Sequence, residues 1–452
     1  MRKDRGKWSR AGLFMFVLAV MALTVMVAGK SWADSDINPQ FTYHGQFRIN
    51  YYTESLSDTS TFGDENASAA RLRFRPTFDV KVNEDISTHL QLNIGHINSN
   101  TSNARTDKSG TEPAVGLRHA VIQAKLADGV TGVAGLVPIS DKFGDTLFSG
   151  DWDFNPLAVA FLFDAGGINF RIGTAKLLEN SENDMQTVTA ADGTKTTTKN
   201  KDDLDAYVLD ADIGGFGASV YYLDIQKGAT AYKTATLTLY GVRYAGDLGG
   251  VKLNAFALGS ALDASDAKIK SNGYAAKLEA KIPVSGMTLG AMGLYASGDK
   301  KFGSTTDTAS SFITPMSLIG HHGYWGYTGK LNIQGPTDTG IDNPVNIDGG
   351  SYSNANLGLG LTTLQVNLDV PISDKFSAYV AGGWFQGNDA PAGVSKDIGT
   401  DIYVQGKYKI GPTLNLEFGV DYAALGAGSH MTVAANTSRN ITTGFSRLQL
   451  EY

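Results

Sequence analysis

Three arginines at alternate positions, Arg71, Arg73 and Arg75, are the residues whose type and spacing most plainly suggest chemistry. A guanidinium stays charged and presents a rigid fork of donors that matches a carboxylate or a phosphate. Residues two apart share a face only if the chain is extended, so the spacing already asks for a strand. A second group is acidic: Asp141, Asp145, Asp151 and Asp153 fall close together in one polar stretch. Taken alone, that stretch reads as a solvated loop or a surface that picks up calcium. The seven histidines, His44, His89, His96, His119, His321, His322 and His430, show neither nucleophile nor zinc spacing. His321 and His322 are adjacent, but neighbouring residues rarely point the same way and no Cys or carboxylate cluster completes a metal site. No catalytic residue, metal or cofactor is expected.

The elements that carry these residues are strands. Over residues 71–82, Leu72, Phe74, Phe78, Val80 and Val82 alternate with Arg71, Arg73, Arg75, Thr77, Asp79 and Lys81. A period of two over a dozen residues gives one apolar and one wet face. The run is longer than the usual soluble strand of about 5 to 6 residues. It meets the roughly 9 to 11 needed to cross a bilayer at a tilt. The pattern recurs at 41–51, 402–410 and 414–422, and about eighteen such strands are predicted along the chain, with sixteen as the alternative count. Alternation is blurred at 116–137 and 235–261, where Ala and Gly intervene.

The connections alternate between long and short: 54–68 is long, Asn83-Glu84-Asp85 short, 98–115 long, Ala127-Asp128-Gly129 short, 138–156 long, Ala165-Gly166-Gly167 short. Long loops at one end and tight turns at the other predict a transmembrane antiparallel β-barrel with short periplasmic turns and long extracellular loops. Sixteen to eighteen strands enclose an aqueous channel. Closure of such a barrel would bring Arg447 beside the first strand, where Arg48 faces inward, so Arg48, Arg71, Arg73, Arg75 and Arg447 would form one basic patch on the wall. Charges lining a low-dielectric wall concentrate counter-ions and set selectivity. The plainer alternative is that they hydrate the lumen and pair with neighbours such as Asp79. Pro76 cannot donate to a ladder, which predicts a bulge or local break there.

Residues 1–33 carry a basic stretch, an apolar run from Leu13 to Ala28 and then Ser31-Trp32-Ala33. That order is a cleaved signal peptide, with 34–452 as the barrel. Its removal takes away six Lys/Arg and one acid and leaves a net charge of -12. Such a balance argues against nucleic acid as a partner. There are no cysteines, so no disulfide framework holds the exported chain. A mean hydropathy of -0.14 is no objection, because in a barrel only alternate residues meet lipid. About seven residues separate Asp34 from Phe41, too few for a plug domain, which argues against active transport.

The chain closes on Leu448-Gln449-Leu450-Glu451-Tyr452, alternating up to an aromatic residue. Together with the leader and the hairpin alternation, this resembles the Gram-negative outer-membrane porins, whose terminal strand directs barrel assembly. The family usually ends in Phe, and Tyr452 departs from that. The resemblance implies passive diffusion of small hydrophilic solutes or ions through a water-filled lumen, location in the outer membrane, contact with its lipid and lipopolysaccharide, and a homotrimer. It also implies that the third long loop, 138–156, folds inward as the pore constriction, bringing Asp141, Asp145, Asp151 and Asp153 opposite the arginines. Two other functions stay open: a substrate-specific channel for small anionic solutes, and a structural or adhesive surface barrel. Barrel lipases carry a His-x-Ser pair, which occurs nowhere here, so no enzyme is expected. The longest loop, 298–353, has an apolar stretch from Phe312 to Ile319 that predicts packing over the barrel mouth or against a neighbouring subunit.

Overall fold

Period-two alternation gives strands throughout. The computed structural model describes residues 39–56, 66–98, 115–150, 154–179, 185–189, 195–199, 203–226, 235–264, 269–301, 308–315, 331, 333, 360–390, 395–428 and 439–452. The expected signal peptide, Asp151, Asp153 and the His321-His322 pair lie outside them. The strands are β1 (Gln40–Leu56), β2 (Asn66–Lys81), β3 (Ile86–Asn98), β4 (Val115–Ala127), β5 (Val130–Leu136), β6 (Leu157–Ala165), β7 (Ile168–Glu179), β8 (Met185–Thr189), β9 (Lys195–Lys199), β10 (Asp203–Ile213) and β11 (Phe216–Gln226). They continue as β12 (Ala235–Leu248), β13 (Val251–Ala264), β14 (Ile269–Val284), β15 (Met287–Ala296), β16 (Thr308–Ala309), β17 (Leu361–Pro371), β18 (Phe376–Gln386), β19 (Asp397–Lys409), β20 (Leu414–Leu425) and β21 (Arg439–Glu451). Among the described residues there is no helix.

Eighteen of these strands form the wall, each antiparallel to its neighbours, and β1 pairs with β21 to close it. The count of eighteen is therefore met and sixteen is excluded. β8 and β9 form a separate hairpin within the connection from β7 to β10, which the alternation did not reveal. β16 is a two-residue strand lying parallel to β14. Glycine pairs at Gly166-Gly167, Gly214-Gly215 and Gly249-Gly250 turn the chain between consecutive strands, all at the same end of the barrel.

The outer face is apolar. Leu209, Val220, Val242, Leu278, Val366 and Ile402 are all exposed, although each is paired within the sheet. Aromatic pairs ring this band near the turn end, as in Phe41–Phe78 at 6.0 Å and Phe216–Tyr244 at 4.8 Å, and again toward the other end with Tyr274–Tyr295 at 5.6 Å. An apolar belt flanked by aromatic girdles is the surface of a bilayer-spanning barrel. The seam carries one such cluster. The Tyr452 backbone pairs with Gly45 in both directions, at 2.9 and 3.1 Å. Its hydroxyl meets that of Tyr43 at 2.9 Å.

Part of the inner face is apolar too, and this explains the blurred alternation. Val208 on β10, Leu237 and Leu239 on β12, Phe256 and Leu258 on β13 and Leu294 on β15 are all buried toward the lumen. With lipid outside and packed side chains inside, both faces of these strands call for apolar residues, so period two fades from the sequence. The packing partners are segments folded into the barrel, including Phe312 and Ile313, both fully buried in the same cluster. The apolar stretch after Phe312 thus begins inside the barrel mouth. Strand β2 runs unbroken through Pro76, which pairs with Gly45 on the β1 side. On the β3 side the ladder skips from Phe74↔Ile94 to Thr77↔Gln91. The expected break is in the ladder and leaves the strand intact.

Gly273 allows the Phe312 segment to lie directly against the wall, since a Cβ there would stand 2.2 Å from the Phe312 nitrogen. Gly273→Val is expected to expel the segment and lose the burial of Phe312 and Ile313, each worth about 1.5–3 kcal/mol. The measurement is the thermal unfolding midpoint in detergent with proteolysis around residue 312. Wild-type values for both would contradict this packing.

Candidate functional site

The segment between β5 and β6 packs against inward residues of the wall. It begins as a continuation of their ladder: Val137 N–H donates to Pro156 O at 3.0 Å, Ile139 to Phe154 O at 3.1 Å and Asp141 to Phe148 O at 3.1 Å. Gly135 precedes it with φ of 124°, a conformation L side chains rarely adopt. A Cβ there would meet the Ala120 carbonyl oxygen at 1.9 Å. Beyond this point Phe143 and Leu147 are fully enclosed. Phe143 packs edge-on against Tyr221 at 6.1 Å and Phe256 at 5.9 Å, both inward residues of the far wall. Aromatic pairs of this geometry add about 0.5–1.5 kcal/mol to the burial itself.

Polar contacts fix the segment at both limbs. The Lys142 backbone N–H donates to the Tyr221 hydroxyl at 2.9 Å, and that hydroxyl donates to Asp210 at 2.7 Å. Arg171 bonds the same Asp210 and also donates to the Ser140 carbonyl at 2.8 Å. The Lys142 ammonium reaches Asp212 at 3.2 Å, and Arg243 completes that pair. On the opposite limb Arg118 donates to the Gly150 carbonyl at 2.9 Å and to Gln91 at 2.6 Å. Arg118, Arg171, Asp210 and Tyr221 were not singled out from sequence. The available signal was the pair of acids, Asp210 and Asp212, that follows the apolar inward series Leu204, Ala206, Val208.

Of the four acids, Asp141 and Asp145 lie within the described residues. Asp141 is buried, and its carboxylate accepts backbone N–H groups from Phe143 at 2.6 Å, from Phe148 at 2.9 Å and from Leu147. It organises the turn from within and does not face the passage. Burial pushes its carboxyl up to about 6, against the pull of those three donors and with added repulsion from Asp145. Asp145 sits at φ 56° and accepts from the Ser149 hydroxyl at 3.2 Å.

Arg48 lies on β1 and Arg71, Arg73 and Arg75 on its partner β2. Arg48 and Arg73 are directly opposite across β1 and β2, and Arg75 is opposite Gln46. Arg71 is opposite Asn50 in the same register. Arg48 donates to Gln449 at 2.8 Å, Arg73 to Gln46, and Arg75 to Asn93 at 2.9 Å. Like charges directly opposite in a sheet are destabilising by up to about 1 kcal/mol, so this pair is a cost the fold carries. Arg447 differs. It is buried and bonded to Glu417, which also meets Lys407 at 3.1 Å. Its charge is used in an ion-pair cluster on β19–β21 and is not open to the lumen. Next to the inward segment lies a cavity of about 730 Å³ whose lining includes Asp79, His89, Gln123, Ile139 and Arg171.

No family model matches the sequence, and no curated protein does. Solved structures do. OpdL of Pseudomonas aeruginosa aligns with a TM-score of 0.54 at 10% identity, over 91% of this chain and 99% of that one. OccK9 (OpdG) of the same organism gives 0.54 at 11% identity over 91% and 99%. A BenF-like porin from Pseudomonas fluorescens Pf-5 gives 0.53 at 10% over 91% and 99%. The likeness is one of fold across nearly the full length of each barrel.

Asp141→Ala would leave three buried N–H groups without an acceptor, at about 1–3 kcal/mol each. The segment is expected to detach, raising single-channel conductance in planar bilayers; wild-type conductance would contradict the clamp. A smaller effect follows from pH. Because the folded-state value lies above the ordinary 3.8, the favourable contribution is full below about pH 4 and lost as pH rises through about 6. Conductance should therefore be higher at pH 8 than at pH 5.

Proposed function

We propose that this chain is an outer-membrane porin through which small hydrophilic solutes diffuse passively, with small anions preferred. The observation that carries the reading is a closed eighteen-strand barrel with an apolar outer belt and a cavity of mixed polar and apolar lining beside an inward-folded segment. The fold shared with OpdL and with a BenF-like porin supports it. In this reading residues 138–156 narrow the pore and residues 1–33 are the leader that directs export. The long connections face outward beside lipopolysaccharide, and the barrel works as a homotrimer without catalysing a reaction.

The preference for anions rests on the four guanidinium groups of Arg48, Arg73, Arg75 and Arg118, carried by strands β1, β2 and β4. Positive charges lining a low-dielectric wall attract passing anions.

Liposome swelling with neutral sugars tests the channel itself: a swelling rate equal to that of protein-free vesicles would favour a structural barrel. Selectivity is tested by reversal potential in a salt gradient. Wild type is expected to favour anions, and Arg48→Gln, Arg73→Gln and Arg75→Gln combined should move the potential toward cations. An unchanged potential would remove these arginines from the conducting path.

A further inference from the structure

One inward residue from each of four consecutive strands forms a continuous ladder that no expected function uses. His44 Nε2 lies 2.7 Å from one Asp79 carboxylate oxygen and His89 Nδ1 lies 2.7 Å from the other. His89 Nε2 is then 3.2 Å from His119 Nδ1. An ionised carboxylate only accepts, so a neutral His89 carries its proton on Nδ1 and its Nε2 is a bare lone pair. His119 must therefore supply the hydrogen between the rings from Nδ1, which leaves its own Nε2 bare. That Nε2 is buried without a partner, as is the Oδ1 of Asn155, the amide beside the ring. With both rings neutral and the Asn155 amide in this orientation, the two buried acceptors face each other unsatisfied.

We propose that His89 Nε2 and His119 Nδ1 are a binding site for a borderline divalent transition ion of the zinc, nickel and copper class. Two imidazole nitrogens at 2.0–2.1 Å from a tetrahedral ion stand about 3.3 Å apart, close to the 3.2 Å found. The ion takes the place of the ring-to-ring hydrogen. The displaced proton moves to His119 Nε2, where Asn155 Oδ1 accepts it, so no proton is lost and both orphaned atoms are satisfied. Each ligating ring then donates its second N–H to an oxygen, Asp79 for His89 and Asn155 for His119, the arrangement that orients metal-bound histidines. Among the described residues no three such donors converge, so the protein supplies two ligands. The remaining positions open to the cavity that His89 lines, where water or a donor atom of a solute completes the shell. The charges of Arg118 and Arg75 act unfavourably on a cation at His119, while Asp79, bonded to His89, offsets them.

The test uses the full chain carrying His321→Ala and His322→Ala, so that the adjacent pair in the long loop does not compete. Zinc, nickel or copper(II) is titrated against a chromophoric chelator. One ion per chain is expected, with at least a tenfold loss of affinity in His89→Gln and in His119→Gln. Asp79→Asn should lose about tenfold through the outer hydrogen bond. Affinity unchanged by either histidine substitution, or absence of saturable binding, overturns the site. Should the histidine variants fail to fold, copper(II) EPR on the chain with both ladder histidines intact decides: coupling to two equatorial nitrogens supports the pair, and any other nitrogen count refutes it. The result does not depend on which solute the barrel passes.

Discussion

Hydrocarbon offers a backbone amide nothing to bond with, so a sheet exposed to lipid has to pair every strand on both sides. Everything else in this molecule follows from that constraint. It requires β1 to meet β21, which makes a closed wall; eighteen tilted strands then enclose a lumen wider than their own side chains fill. A lumen of that size is either water or protein. Here it is both. Connecting segments enter and pack against one sector of the wall, and a cavity remains between them and the strands from β1 to β7.

This division assigns different chemistry to the two sectors. Along β10–β15 the inner face behaves as a protein core, with Phe143, Phe256 and Leu239 enclosed and the buried Asp210 shared between Arg171 and Tyr221. Along β1–β4 the inner face holds arginines and imidazoles bonded to amides, a carboxylate and one another. Burial of polar atoms is tolerable only where partners are fixed, and the packed sector provides the rigid body against which the polar one is held.

Alternation made the wall legible in the sequence. Ile402 and Val404 face lipid while Asp401, Tyr403 and Gln405 face inward, as the pattern of 402–410 requires. The period failed over 235–261 because Leu237 and Phe256 pack inward while Tyr240 and Val242 meet lipid, a condition set by segments far away in the chain. Arg48 and Arg73 were legible as inward charges, but that Arg447 is spent on Glu417 depends on the register of β20 against β21. Register also hid the histidine ladder. His44, Asp79, His89 and His119 are separated by 35, 10 and 30 residues, and nothing in composition or spacing ties them until four strands are aligned.

The seam at Gly45 and Tyr452 has a consequence for the order in which the molecule forms. Its two hydroxyl-bearing rings are 409 residues apart in the chain, whereas the other wall contacts join neighbours in sequence. Chain entropy makes such a distant contact slow to form. Hairpins can therefore accumulate one after another while β1 and β21 remain as two unpaired edges. Until the last step the growing sheet is an aggregation template, so its survival rests on being shielded or inserted before it closes.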